Sequence, residues 1–189
     1  MTPSHIKKLL YEITANDCER SLKSLFFGLY PSLTGFANSI LKSQEDAEES
    51  VTDFFMGLWQ KRKELPEMEN PRLYFLVGVK NASINRLKKR DRQELPPLDE
   101  WQTNMESVFF NPEELLLSSE AVRRIMNGVN TLPPKCKLIF KLVKEDGLKY
   151  QEVADLLNLS LKTVESQMAI AFRRIRSTIE IKNSFILHN

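Results

Sequence analysis

Histidine, cysteine and glycine are scarce in this chain: two, two and six of 189 residues. His5 and His188 lie at opposite ends, and Cys18 and Cys136 are far apart with no His or Cys at ligand spacing. A structural zinc site usually needs four such ligands, so no metal and no cofactor is expected, and both thiols read as reduced. No glycine-rich phosphate loop appears, and no nucleophile stands beside a base; the constellations of covalent or nucleotide-using enzymes are missing. No stretch approaches the roughly 20 apolar residues of a membrane span. The start sets Glu12 directly after Leu9, Leu10 and Tyr11 and has no apolar signal segment, so a cytoplasmic, non-enzymatic protein is expected.

Alternating runs long enough for a sheet are missing too. What recurs instead are apolar residues at three- and four-residue steps, in a chain 42% hydrophobic and 28% charged. That period predicts an all-α protein. Helices are expected over Ile6–Ile13, Cys18–Tyr30 and Pro31–Leu41, with Pro31 suiting a first turn. One follows from Glu45 to about Lys63, acidic at its start and basic at its end, as the helix dipole favours. Pro66 and Asn70-Pro71 mark a loop, and Leu73–Arg90 reads as a long helix. Further helices are expected at Glu113–Val129, Pro134–Glu145, Tyr150–Leu157 and Leu161–Ile179, with Asn183–Asn189 frayed.

The net charge of +2 hides a division. Residues 1–90 carry 14 basic and 11 acidic side chains, a net +3; residues 91–117 carry 1 and 7, a net −6; residues 118–189 carry 12 and 7, a net +5. Pro96-Pro97 and Asn111-Pro112 fall in the acidic stretch, where helical periodicity disappears. The expected organisation is therefore two small helical domains, 1–92 and 118–182, joined by an acidic linker at 93–117. Basic bodies attract phosphate, and an acidic strap repels it.

Tyr150–Arg176 carries the sharpest local signal. YQEVADLL turns Val153, Ala154 and Leu157 inward; Asn158 suits a left-handed turn and Ser160 an N-cap. In the next helix Leu161, Val164, Met168, Ala171, Phe172, Ile175 and Ile179 form one stripe. Lys162, Thr163, Ser166, Gln167, Arg173, Arg174 and Ser177 form the other. Hydroxyl and amide groups near a helix start suit base edges in a major groove, and the later arginines suit phosphates. An ordinary solvated polar face would usually carry acids. This one has only Glu165, on its flank.

The segment from Leu132 to Arg176 resembles region 4 of the extracytoplasmic-function (group IV) sigma-70 factors. That region reads the −35 promoter element, with Ser160, Lys162, Thr163, Ser166, Gln167, Arg173 and Arg174 implied as contacts. LuxR-type regulators have a similar segment. The first half separates the two. LFFGLYPSLTGFANSIL and DAEESVTDFFMGLWQKR resemble region 2, whose acidic-apolar helix docks on the β′ clamp helices of RNA polymerase. The resemblance implies polymerase contacts at Asp46, Glu49, Thr52, Asp53, Phe54 and Trp59. Thr52 and Ser50 depart from the family pattern, which has Gln and an aliphatic there. Phe55 and Trp59 are expected in the core.

NPRLYFLVGVKNASINRLKKR resembles the helix that engages the opened −10 element, implying contacts at Arg72, Tyr74, Lys80, Asn81, Asn85, Arg86, Lys88 and Lys89. Aromatic and cationic groups together suit single-stranded DNA. Tyr74 and Phe75 are equally suited to a core. The loop Glu64–Pro71 corresponds to the family's loop for a flipped −10 base. The implied partners are core RNA polymerase (β′ clamp helices and β flap), promoter DNA and an anti-sigma factor, with no small-molecule substrate. The linker is implied to thread toward the RNA path of the polymerase. The divergent region 2 is similar to that of Bacteroidetes-like members, whose sigma and anti-sigma pairs often control outer-membrane nutrient uptake.

Three other readings compete. A LuxR-like regulator should begin with an α/β sensing domain, and no strand–helix alternation is found. A resolvase-type enzyme would need a catalytic sheet and nucleophile. An anti-sigma or other interaction protein would not need two nucleic-acid faces.

Overall fold

The computed structural model describes residues 1–91 and 120–186, with side chains described over 1–89 and 125–178. Among the described residues there are eight α-helices and no strands. The chain divides into two compact units, 1–109 and 110–189, each of which has its own core. The acidic linker expected at 93–117 lies outside the described residues, as does the side chain of Ile179.

The N-terminal unit contains α1 (Pro3–Asn16), α2 (Glu19–Leu41), α3 (Gln44–Gln60) and α4 (Pro71–Asp91). Thr2 caps α1 by accepting the His5 N–H, with Pro3 in the first turn, where its missing N–H costs nothing. Asp17 closes α1 in the left-handed conformation at φ 50, and Lys42 does the same for α2 at φ 56. Ser43 caps α3 by accepting the Asp46 N–H, ahead of an acidic first turn that complements the dipole. Leu25, Leu29, Leu33, Phe36 and Ile40 of α2 meet Val51, Phe55 and Leu58 of α3 and Phe75, Leu76 and Val79 of α4. Burying that apolar stripe, rather than intrinsic propensity, stabilises these helices.

One boundary differs from the sequence reading. Residues 18–41 were expected as two helices broken at Pro31, yet Pro31 lies inside a single helix, α2. Proline removes the hydrogen bond to the carbonyl of Phe27, but both residues are exposed, so water can satisfy that carbonyl. Meanwhile the apolar stripe runs unbroken from Leu25 to Ile40 and holds the two halves in register.

The C-terminal unit contains α5 (Glu120–Asn130), α6 (Pro134–Lys144), α7 (Tyr150–Leu157) and α8 (Leu161–Ile186). Pro134 opens α6, and Gly147 adopts φ +72 in the turn after it. The Glu152 carboxylate accepts the Lys149 N–H at 2.7 Å and so fastens the entrance of α7. Helix α8 runs beyond the expected end at Ile179, to Ile186, through residues expected to fray.

Candidate nucleic-acid and polymerase interfaces

Helices α7 and α8 form the expected helix-turn-helix. Val153, Ala154 and Leu157 are buried, and Asn158 takes the left-handed turn at φ 55. The Leu159 N–H returns to the Ala154 carbonyl at 2.9 Å. Ser160 caps α8, accepting the Thr163 N–H at 3.1 Å, and its hydroxyl lies 2.8 Å from the Thr163 hydroxyl. Two of the proposed −35 residues thus hold each other at the helix start.

Val164, Met168, Ala171 and Ile175 of the apolar stripe are buried. Leu161 and Phe172 are not: they remain 40% and 46% exposed, a correction to the inward stripe read from spacing. Both fall at the edge of the stripe, where the neighbouring helices cover them only in part. Phe172 instead meets Phe140 edge-on at 6.2 Å and lies under the Lys144 amine at 5.3 Å. Lys162, Ser166, Arg173 and Ser177 are exposed on the outer face, while Gln167 is half-buried. Arg174 is exposed but leans toward α5, donating to the Thr131 carbonyl at 3.5 Å. The Gln167 carbonyl accepts from the Cys136 thiol at 3.2 Å.

In the N-terminal unit the proposed polymerase and −10 residues meet. The Arg86 guanidinium of α4 donates to Asp46 at 2.7 Å, bonds Glu49, and stands 4.0 Å from Asp53. One cation thus faces three carboxylates at three- and four-residue spacing on α3. The bond to Asp46, and after it that to Glu49, raises the Arg86 pKa against the opposing effect of burial. Phe54 is half-buried, with its ring pressed on Gly78: a Cβ at that glycine would fall 2.0 Å from the Phe54 Cε2. Only a residue without a side chain lets α3 and α4 approach this closely. Thr52 is exposed, and its hydroxyl donates to the Glu48 carbonyl at 2.8 Å. Phe55 is core as expected, but Trp59 is only half-buried, with the Arg62 guanidinium 4.2 Å over its ring.

The remaining −10 candidates spread along α4. Arg72 donates to the Ser32 hydroxyl at 2.7 Å and ties α4 to α2. Tyr74 is half-buried, 6.1 Å from Phe54, and burial raises its phenol pKa; Phe75 is fully core. Lys80 is half-buried, and desolvation lowers its amine pKa. Asn81, Asn85, Lys88 and Lys89 are exposed on the outer half of the helix.

Sequence reading missed two features here. Asp17 at the end of α1 holds Arg62 and Lys63, the latter at 2.7 Å, so the basic turn that follows α3 is partly neutralised within the fold. The pairing bridges 45 residues and leaves no local trace. The second is an apolar groove of about 540 Å³ between α2 and α3, bordered by Phe26, Phe27, Met56 and Trp59. Phe27 and Met56 are 72% and 57% exposed. Adjacent phenylalanines on one helix cannot both face inward, and that was the available signal.

Known proteins bear on these faces. Residues 25–93 match the model for Sigma-70 region 2, and residues 122–175 match that for Sigma-70, region 4. The chain belongs to the sigma-70 family. It is 30% identical over 70 residues to the ECF RNA polymerase sigma-E factor of Escherichia coli (strain K12), 37% of each chain. The matched stretch thus spans little more than a third of the sigma-E factors. The same identity and coverage hold for the ECF RNA polymerase sigma-E factor of Salmonella typhi. The RNA polymerase sigma-H factor of Bacillus subtilis (strain 168) is 20% identical over 156 residues, 72% of each chain. Among solved structures, the sigma factor RpoE of Bartonella quintana, crystallised with the anti-sigma factor NepR, shares the fold at TM-score 0.50. It is 21% identical, with 84% of this chain and 96% of that one covered.

Proposed function

We propose that this chain is a sigma factor: it binds core RNA polymerase and directs promoter-specific initiation, reading −35 duplex with its C-terminal module and opened −10 DNA with its N-terminal one. Residues 1–92 would serve as region 2, 93–117 as the acidic linker and 118–182 as region 4. The observation that carries the reading is the order of region 2 and region 4 matches within one chain. The described faces suit each task. Exposed carboxylates and the apolar groove of α3 offer a protein-docking surface, and exposed amides and lysines of α4 offer a surface for single-stranded DNA.

The chain itself makes and breaks no bonds in this scheme. Opening follows from differential binding, because groups that hold released bases favour the opened state over duplex. The polymerase performs the chemistry in the cytoplasm, with β′ clamp helices on α3 and the β flap on the C-terminal module. An anti-sigma factor, the kind of partner named for the Bartonella quintana neighbour, would compete for the α2–α3 face. There Phe27 and Met56 leave apolar area for a partner helix.

Run-off transcription on genomic fragments with purified core polymerase tests the proposal. Promoter-specific transcripts should appear only when this chain is added. Absence of both transcripts and a complex with core would overturn it.

A further inference from the structure

The loop Glu64–Pro71 is fastened at both ends. At its far end the Asn70 side-chain carbonyl accepts the Leu73 N–H at 3.2 Å and so ties the loop to the first turn of α4. At its near end the fastening comes from α1, which packs on the turn Arg62–Glu64. Asp17, the left-handed residue that closes α1, bonds Arg62 and holds Lys63 at 2.7 Å. The Lys63 amine also donates to the Thr14 carbonyl at 3.4 Å. The Lys63 bond first, and the Arg62 bond after it, keep the Asp17 carboxyl below the usual carboxylate range. Two adjacent cations in a tight turn repel each other, and one carboxylate between them lets both point toward α1. Past this clasp the loop stands off the helix: Pro66 and Met68 border a cavity of about 330 Å³ whose other wall is Leu10 and Tyr11. Close packing therefore does not set the height of the loop above α1, which leaves that task to the clasp at its root.

We propose that Asp17 is a positioning residue for −10 recognition: it touches no DNA, and by holding Arg62 and Lys63 it sets the course of the loop that does. The inference rests on the sigma-factor reading. It extends the −10 machinery to α1, ahead of residues 25–93 that match region 2. Exposed ion pairs contribute little to stability, so the clasp acts on where the loop lies rather than on whether the module unfolds. Arg62 is a poor residue to vary, because its guanidinium also covers the Trp59 ring on the polymerase-docking helix. Asp17 has no such second task.

The backbone of Asp17 supplies the test. At φ 50 asparagine is well suited, whereas glutamate is strained. Asp17→Asn therefore keeps the ending of α1 and loses the charge; Asp17→Glu keeps the charge and strains the ending. Each full chain is assembled with core polymerase and offered a single-stranded oligonucleotide selected by wild-type holoenzyme, with every position varied in turn. A chain with residues 66–69 replaced by Gly-Ser-Gly-Ser identifies the position that the loop reads. Asp17→Asn should lower base preference at that position by about two- to fivefold, the scale of an exposed ion-pair network, with core binding and thermal midpoint near wild type. Asp17→Glu should keep most of the preference despite a lower midpoint. The reverse pattern, with Asp17→Glu impaired and Asp17→Asn normal, would show that Asp17 only ends α1 and would overturn the proposal. A uniform gain in affinity for all sequences in Asp17→Asn, with preference unchanged, would overturn it too, because the freed cations would then merely meet phosphate. If the Gly-Ser loop alters preference at no position, the −10 assignment of the loop itself falls, and the proposal with it.

Discussion

Arg86 and Asp46 are joined at 2.7 Å across the α3–α4 interface, although each is implied to serve a different partner. Their side chains are 27% and 18% exposed, so the pair is screened less than an ordinary surface bridge. Removing the guanidinium would leave Asp46, Glu49 and Asp53 facing one another without it. Arg86→Ala should destabilise the N-terminal module by about 1–2 kcal/mol in urea unfolding, as expected for a charge-assisted bond. The loss should shrink in 1 M salt, and Arg86→Lys should recover only part, since an ammonium lacks the fork that reaches two carboxylates. A variant as stable as wild type would mean the pair contributes nothing.

Two glycines on these facing helices should respond to alanine with opposite signs. Gly78 has the Phe54 ring where its Cβ would be, so Gly78→Ala must displace an aromatic shared by α3 and α4. A loss of about 1–3 kcal/mol is expected from overpacking. Gly57 lies within α3 with nothing inside 4 Å of an added Cβ. Gly57→Ala should stabilise by up to about 1 kcal/mol, the helix-propensity difference. Thermal midpoints read by circular dichroism separate the two cases, and equal shifts would refute the packing argument.

Where the sequence was legible, local chemistry decided the outcome. Asn158 and Ser160 predicted the turn and cap of the helix-turn-helix because a left-handed residue and an N-cap are set by immediate neighbours. Pro31 misled for the converse reason: a local breaker was outweighed by a stripe buried against α3 and α4, which no window along α2 contains. Phe172 shared the period of the buried residues, but neighbouring helices decide how far around α8 the core extends. The pairing of Arg86 with the α3 carboxylates spans about 40 residues and was read as two separate faces.

Lys141 gives the C-terminal module a pH dependence of unusual sign. It is 1% exposed in α6, and burial pulls its amine pKa from 10.5 to about 8, with Glu145 opposing the shift and Lys137 adding to it. Unfolding restores the ordinary value. Between about pH 8 and 10.5 the unfolded chain therefore holds more of the proton, and the Lys141 contribution to stability rises with pH across that window. Below it both states are charged and the burial penalty is fully present. Lys141→Met should stabilise the module at pH 7, and its advantage over wild type should narrow by pH 10. A pH-independent difference between the two proteins would remove the titration from the explanation.

The outer face of α8 should divide by kind of contact. Lys162 and Gln167 stand in the first two turns, near the end that meets base edges, whereas Arg173 is exposed further along. In holoenzyme binding to a selected −35 duplex, Lys162→Ala or Gln167→Ala should relax preference at one or two base pairs by about 1–3 kcal/mol, leaving core binding intact. Arg173→Ala should instead weaken all sequences alike and reduce the salt slope by about one. Arg174→Ala carries a second consequence, because Arg174 also reaches the Thr131 carbonyl just after α5 and so should lower module stability slightly. If Lys162→Ala or Gln167→Ala abolished core binding with −35 preference unchanged, this face would belong to the polymerase and not to DNA.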